Sequence, residues 1–216
     1  MKIAVLLAGC GVFDGSEIHE ATLTLLALDQ AGIHYQCIAP GDSQYKTVNH
    51  IDSSDKSEER NILEESARIA RGDIKEANLI QASDYDALII PGGFGAALNL
   101  CTFAISGSDC EVNAEVDALI KGFHSSKKPI GAMCIAPALL AKVLGSKNVA
   151  LTIGTDEATA EAINSCGAQH KTAQVDEIIV DEVNLVVTTP AYMLASGPAQ
   201  AWSGIEKLVE KIITLA

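Results

Sequence analysis

The 216-residue chain lacks several things that would each have placed it quickly. Its six cysteines (Cys10, Cys37, Cys101, Cys110, Cys134, Cys166) form no C-x-x-C pair and have no metal-like spacing with histidine. A structural zinc site and a bound metal of any kind are therefore not expected, and the thiols read as reduced. No apolar run is long enough to span a bilayer. Met1-Lys2-Ile3-Ala4-Val5 lacks the layout of a cleavable export signal and enters a strand pattern directly. These two absences give the expectation of a cytoplasmic protein with no membrane partner. Positive charge is scarce: 15 Lys and Arg against 28 Asp and Glu give a formal net charge of −13, which argues against nucleic acid and anionic surfaces. Internal repeats and low-complexity tracts are absent as well. What remains is 48% apolar residues in a chain of the length of one α/β domain, residues 1–216.

The stretch KPIGAMCIAPALL, Lys128–Leu140, organises the rest. Pro129–Met133 is a short apolar run that reads as a buried parallel strand. Cys134 follows at once, and Pro137 suits the first turn of a helix, where its missing N–H costs nothing. Small residues two before (Ala132) and two after (Ala136) allow the tight strand-to-helix elbow that displays a nucleophile. A sulfur there faces the free N–H groups of the helix start, which favours thiolate. The competing interpretation is a small buried core residue.

Elsewhere, strands and helices alternate. Lys2–Ala8 is a first strand, then a glycine-rich turn, then a helix from about Glu17 to Ala31 that Asp14 or Ser16 could cap. Tyr35–Ala39 is the next strand, and Gly41–Arg60 a polar loop with room for short strand pieces. Asn61–Arg71 is helical. Tyr85–Ile90 is a buried strand ending in Pro91-Gly92-Gly93, and the segment to Asp109 reads as a pocket cover. Val112–Ser125 and Thr155–Cys166 are helices, Val149–Ile153 a strand, Ile178–Asp181 with Leu185–Thr188 a hairpin, and Ala199–Leu215 the closing helix. Such alternation makes a doubly wound sheet whose site lies at the carboxyl ends of its strands.

A thiolate attacking a carbonyl needs N–H donors for the oxyanion that develops. Gly92 and Gly93 could supply one or two of them, the competing interpretation being that Pro91-Gly92-Gly93 only turns the chain, and the N–H of Ile135 could supply another. Glu17 and Glu20, three apart on one helix face, could serve the dipole or pass protons beside Cys134. His19 is the one histidine beside a proposed active-site element. His34 and His124 read as solvated, and His50 and His170 have no assigned role.

The blocks KIAVLLAGCGVFDGSEIHEA, LIIPGGFGAALNL, GAMCIAPALL, LTIGTD and VVTTPAYMLASG together resemble the ElbB family (enhancing lycopene biosynthesis) of the PfpI/ThiJ superfamily. The resemblance implies a class I glutamine amidotransferase-like fold, a flavodoxin-like three-layer α/β sandwich with a mostly parallel sheet, and a homodimer. It also implies a glyoxalase that turns glyoxal into glycolate without glutathione, metal or other cofactor, or a deglycase acting on glycated groups. The nucleophile maps onto Cys134, its carboxylate partner onto Glu20 or Glu17, and the oxyanion-binding glycines onto Gly92 and Gly93. Protease-like members carry histidine directly after the cysteine, where this chain has Ile135. Glutaminases use a late histidine and acid, which TTPAYM lacks. Neither activity is therefore expected here. A third, non-enzymatic expectation is a redox sensor whose Cys134 is oxidised rather than turned over.

Overall fold

The computed structural model describes all 216 residues. In chain order the elements are β1 (Lys2–Leu6), α1 (Ile18–Gln30), β2 (His34–Ala39), β3 (Thr47–Val48), β4 (Asp55–Lys56), α2 (Ile62–Ile69), β5 (Ile74–Glu76) and β6 (Ala87–Ile90). Then come the short α3 (Phe94–Leu98) and α4 (Phe103–Ser106), α5 (Ala114–Ser125), β7 (Ile130–Met133) and α6 (Ala136–Leu144). The chain closes with β8 (Ala150–Leu151), α7 (Glu157–Ser165), β9 (Gln169–His170), β10 (Ile179–Asp181), β11 (Val186–Thr189) and α8 (Pro198–Leu215).

Seven strands form one sheet in the order β10-β11-β7-β6-β1-β2-β5. Every pairing in it is parallel except β10 with β11, the hairpin read from the sequence. Side chains of β1 alternate between two cores, as strand geometry dictates. Ile3 and Val5 pack with Leu28 of α1 and with Ile205, Leu208 and Ile212 of α8. Ala4 and Leu6 pack with Val116, Ile120 and Phe123 of α5 and Leu139 and Leu140 of α6. Helices thus cover both faces, which is why the central strands are apolar throughout rather than alternating. The result is a mostly parallel, flavodoxin-like three-layer α/β sandwich.

Three expectations need correction. Neither Asp14 nor Ser16 caps α1; Glu17 does, accepting the Glu20 N–H at 2.7 Å. The side chains of Asp14 and Ser16 are occupied elsewhere, by the N–H groups of Val48 and Ala8. The Val149–Ile153 run contributes only Ala150 and Leu151 to a ladder, and that ladder pairs with β9 outside the main sheet. Edge strand β5 has no counterpart in the sequence reading. Its three residues, Ile-Lys-Glu, are too few and too polar to show a period.

Candidate active site

Strands β7, β6 and β1 are neighbours, so the turns at their carboxyl ends meet. The elbow after β7 carries Cys134, held at φ 59°, a left-handed conformation that a non-glycine residue seldom adopts. Two features hold it there: its N–H donates to the Thr189 carbonyl at 3.1 Å, and α6 begins two residues later with Pro137 in its first turn. The turn after β6 supplies Gly92 and Gly93. The loop after β1 is tied to that turn by Glu17 N–H to Gly92 O (2.9 Å), Phe94 N–H to Val12 O (2.8 Å) and Gly95 N–H to Gly15 O (2.8 Å). Both glycines are required by space. A Cβ on Gly92 would lie 2.4 Å from the Cys134 Cβ and 2.7 Å from Glu20 Oε2; one on Gly93 would lie 2.3 Å from the Glu17 nitrogen.

Glu20 is fully buried in the first turn of α1. Its Oε2 accepts the Gly92 N–H at 2.9 Å and its Oε1 accepts the Tyr192 N–H at 3.1 Å. The same carboxyl stands beside the Cys134 sulfur, both facing the space over Gly92. Burial pushes its pKa up to about 8, aided by the charge of Glu17, while the two backbone N–H groups and the thiol pull the other way. Glu20 is accordingly protonated at neutral pH. The thiol is pushed up as well, first by burial and then by the negative charge of Glu20; the N–H groups of Gly93 and Ile135 oppose this. The helix start therefore does not by itself make Cys134 a thiolate, contrary to the expectation from the elbow alone. The second negative charge on this buried pair is the costly one, so the pair's reactive form carries a single charge and one shared proton.

The remaining site residues divide clearly. Gly92 does not offer its N–H to a substrate oxygen, because Glu20 already holds it. Gly93 and Ile135 both direct N–H groups at the Cys134 sulfur. Glu17 is the α1 cap and touches Glu20 through the backbone, not through a proton-passing contact. Exposed His19 reaches the Tyr192 hydroxyl, with its Nδ1 2.7 Å away, and not the sulfur. His34 is exposed, whereas half-buried His124 bonds Asn184 at 3.2 Å and is not simply solvated. Phe13 donates its backbone N–H to His50, and Ile153 to His170, so both rings serve the scaffold. No group of three His, Cys, Asp or Glu side chains stands close enough to hold a metal ion.

Tyr192 is the residue of this candidate site that the sequence reading does not single out. It lies in the turn after β11. Its backbone clamps Glu20, and its ring lines the cavity above Cys134. The available signal was Pro190-Ala191-Tyr192 directly after a buried strand, which is where the site of such a sheet collects.

A family model for the DJ-1/PfpI family matches residues 1–193. The chain belongs to the DJ-1/PfpI family. A human protein, glutamine amidotransferase-like class 1 domain-containing protein 3, mitochondrial, is 45% identical over 99% of this chain and 83% of its own length. The zebrafish ES1 protein, mitochondrial, is 36% identical over 89% of this chain and 77% of its own. Among solved structures, an isoprenoid biosynthesis protein with an amidotransferase-like domain from Ehrlichia chaffeensis superposes with a TM-score of 0.93. It is 35% identical, covering 100% of this chain and 99% of that one. Fission-yeast DJ-1, 19% identical with a TM-score of 0.59 over 100% of this chain and 96% of its own, shares the fold. The DJ-1/PfpI family includes cysteine-dependent enzymes, glyoxalases and deglycases among them. The expectation of a cytoplasmic place is contradicted by these relatives, which are named as mitochondrial proteins. No helix here is long and apolar enough to cross a membrane.

Proposed function

We propose that this DJ-1/PfpI protein is an ElbB-type, glutathione-independent glyoxalase that converts glyoxal to glycolate without a cofactor and works as a homodimer. The observation that carries this reading is the pairing of Cys134 with a buried, protonated Glu20, the sulfur facing the N–H groups of Gly93 and Ile135. In the singly charged form of the pair, one carbonyl carbon of glyoxal accepts the Cys134 sulfur as the thiol proton passes to the ionised Glu20. The resulting oxyanion is protonated to a hemithioacetal, and the backbone donors steady its charge. Glu20 then removes the proton on that carbon and returns one to the neighbouring carbon. The first carbon becomes a thioester and the second an alcohol. Water releases glycolate and restores the thiol. One carbon is oxidised by two electrons and its neighbour reduced by two, so water is the one co-reactant.

The test is glycolate formation from glyoxal by the wild-type chain and by Cys134→Ser. Saturable turnover lost in the variant supports the reading; equal activity in both refutes it. A deglycase using the same cysteine is separated from it by supplying a preformed hemithioacetal while free glyoxal is scavenged. Glycolate formed under those conditions would favour the deglycase.

A further inference from the structure

Above Cys134 lies a cavity of about 500 Å³, with Cys134, Gly93 and Ile135 at its base. Eleven of its thirteen lining residues are hydrophobic, and none carries a charge. Ala158 and Ala162 stand four apart on one face of α7, and their small side chains leave the space opposite the sulfur open. A second cavity, of about 310 Å³, shares Phe94 and Ala104 with the first and is lined further by Leu98, Ile105 and Lys46, whose amine is paired with Asp55 at 3.3 Å. Phe94 and Ile105 are large apolar side chains, each about half exposed, at 50% and 53%.

Glyoxal has two carbons and two oxygens and needs neither the volume nor the apolar walls. Cavities of roughly 300–1,000 Å³ lined in this way suit much larger, mostly apolar ligands. Two buried carboxyls, Glu17 and Glu20, stand behind Gly93 and Gly92 without lining the cavity, and no Lys or Arg lines the inner chamber. A carboxylate, phosphate or free amino-acid group would find no counter-charge there.

We infer that this cavity takes a neutral carbonyl compound bearing an apolar chain, with the carbonyl at Cys134 and the chain running past Phe94 and Ala104. Resting on the glyoxalase reading, the preferred substrate becomes a 2-oxoaldehyde whose alkyl substituent is a chain of several carbons, long enough to pass Phe94 and Ala104. The balance is that of glyoxal: sulfur adds to the aldehyde carbon, its hydrogen moves as a proton to the ketone carbon, and water releases a 2-hydroxy acid. The aldehyde carbon is oxidised and the ketone carbon reduced by the same two electrons.

The experiment compares kcat/KM for glyoxal and for 2-oxooctanal in the wild-type chain, in Ala162→Trp and in Ala104→Trp. Alongside, 2-octanone, which cannot be turned over, is tested for protection of Cys134 against alkylation. Burying a hexyl chain should favour 2-oxooctanal by about a hundredfold or more. Filling the inner chamber in Ala162→Trp should cut that ratio at least about tenfold, and so should narrowing the passage in Ala104→Trp. Protection by 2-octanone should weaken in both variants, which lie on separate elements and so check each other against misfolding. Equal kcat/KM for the two aldehydes, with glyoxal still turned over, would overturn the inference and leave the glyoxalase reading standing. No turnover of either aldehyde, with 2-octanone still protecting Cys134, would support the apolar carbonyl class and sink the glyoxalase reading. Absence of both preference and protection would overturn the inference outright.

Discussion

Replacing Glu20 by glutamine should reverse which protein is the more stable as pH rises. The carboxyl sits in the folded state with a pKa of about 8 against an ordinary 4.5, because burial disfavours its charge. A folded-state value above the unfolded one means that the folded protein holds the proton more tightly. Stability from this group is then complete below about pH 4.5, declines as pH climbs, and levels off above about 8. At about 1.4 kcal/mol per pH unit the full loss is about 5 kcal/mol. Glutamine never ionises, so it escapes that loss. It pays at acid pH instead, since its single oxygen can accept only one of the N–H groups of Gly92 and Tyr192, and its own NH₂ faces the other. One buried N–H left unpaired costs about 1–3 kcal/mol. The wild-type chain should therefore be more stable at pH 5, and Glu20→Gln more stable at pH 8, with the curves crossing between. Urea unfolding of both proteins at pH 5, 6, 7 and 8 and fixed ionic strength measures this directly. Parallel curves over that range would refute the buried, protonated Glu20.

Cys134→Ser should abolish turnover while shifting the melting temperature little, since one oxygen for one sulfur hardly changes the volume; a collapsed melting transition would make Cys134 structural. The kcat/KM profile should rise with pH towards a limb near 8, where Glu20 becomes able to take the thiol proton, and a flat profile from pH 6 to 9 would rule out that base. Glu17→Ala should cost about 1 kcal/mol of stability through the lost α1 cap and leave turnover within about tenfold, checked by denaturation and initial rates. Gly92→Ala should cost about 3 kcal/mol or more, because its Cβ would meet the Cys134 Cβ at 2.4 Å with no flexible atom to yield; a folded, active variant would contradict that geometry.

Much of the fold could be read from apolar runs because the central strands are covered on both faces. Ile3 and Val5 face one helical layer while Ala4 and Leu6 face the other, so β1 carries no polar position to interrupt the run. The same holds for Ala87–Ile90 and Ile130–Met133, all buried. Where burial is partial the signal fades. Strand β5 pairs along a sheet edge with Ile74 and Glu76 half-buried and Lys75 exposed, and no period of two survives in three residues. The loop from Gly41 to Arg60 likewise hides two-residue strands that neighbouring backbone, not local propensity, defines.

The site divides along a different line. Cys134, Gly93 and Glu20 could be proposed because each sits on a turn whose chemistry shows in a few consecutive letters. Their charge states could not, because these depend on what three strand ends bring together. The expectation that a helix start lowers the cysteine considered one element only. In the folded chain the sulfur is also buried and faces Glu20, and those two influences outweigh the N–H groups of Gly93 and Ile135. Gly92 teaches the same lesson from the other side. Its place next to Gly93 suggested a second oxyanion donor, yet its N–H points at Glu20, a residue 72 positions earlier. Tyr192, 172 positions from Glu20, completes that clamp from the far end of the chain. In the proposed reading the cysteine is armed by a carboxyl fixed by two backbone N–H groups, from the turns after β6 and β11. That reading asks for no histidine beside Cys134, because Glu20, raised to about 8, titrates where a histidine base would be asked to work.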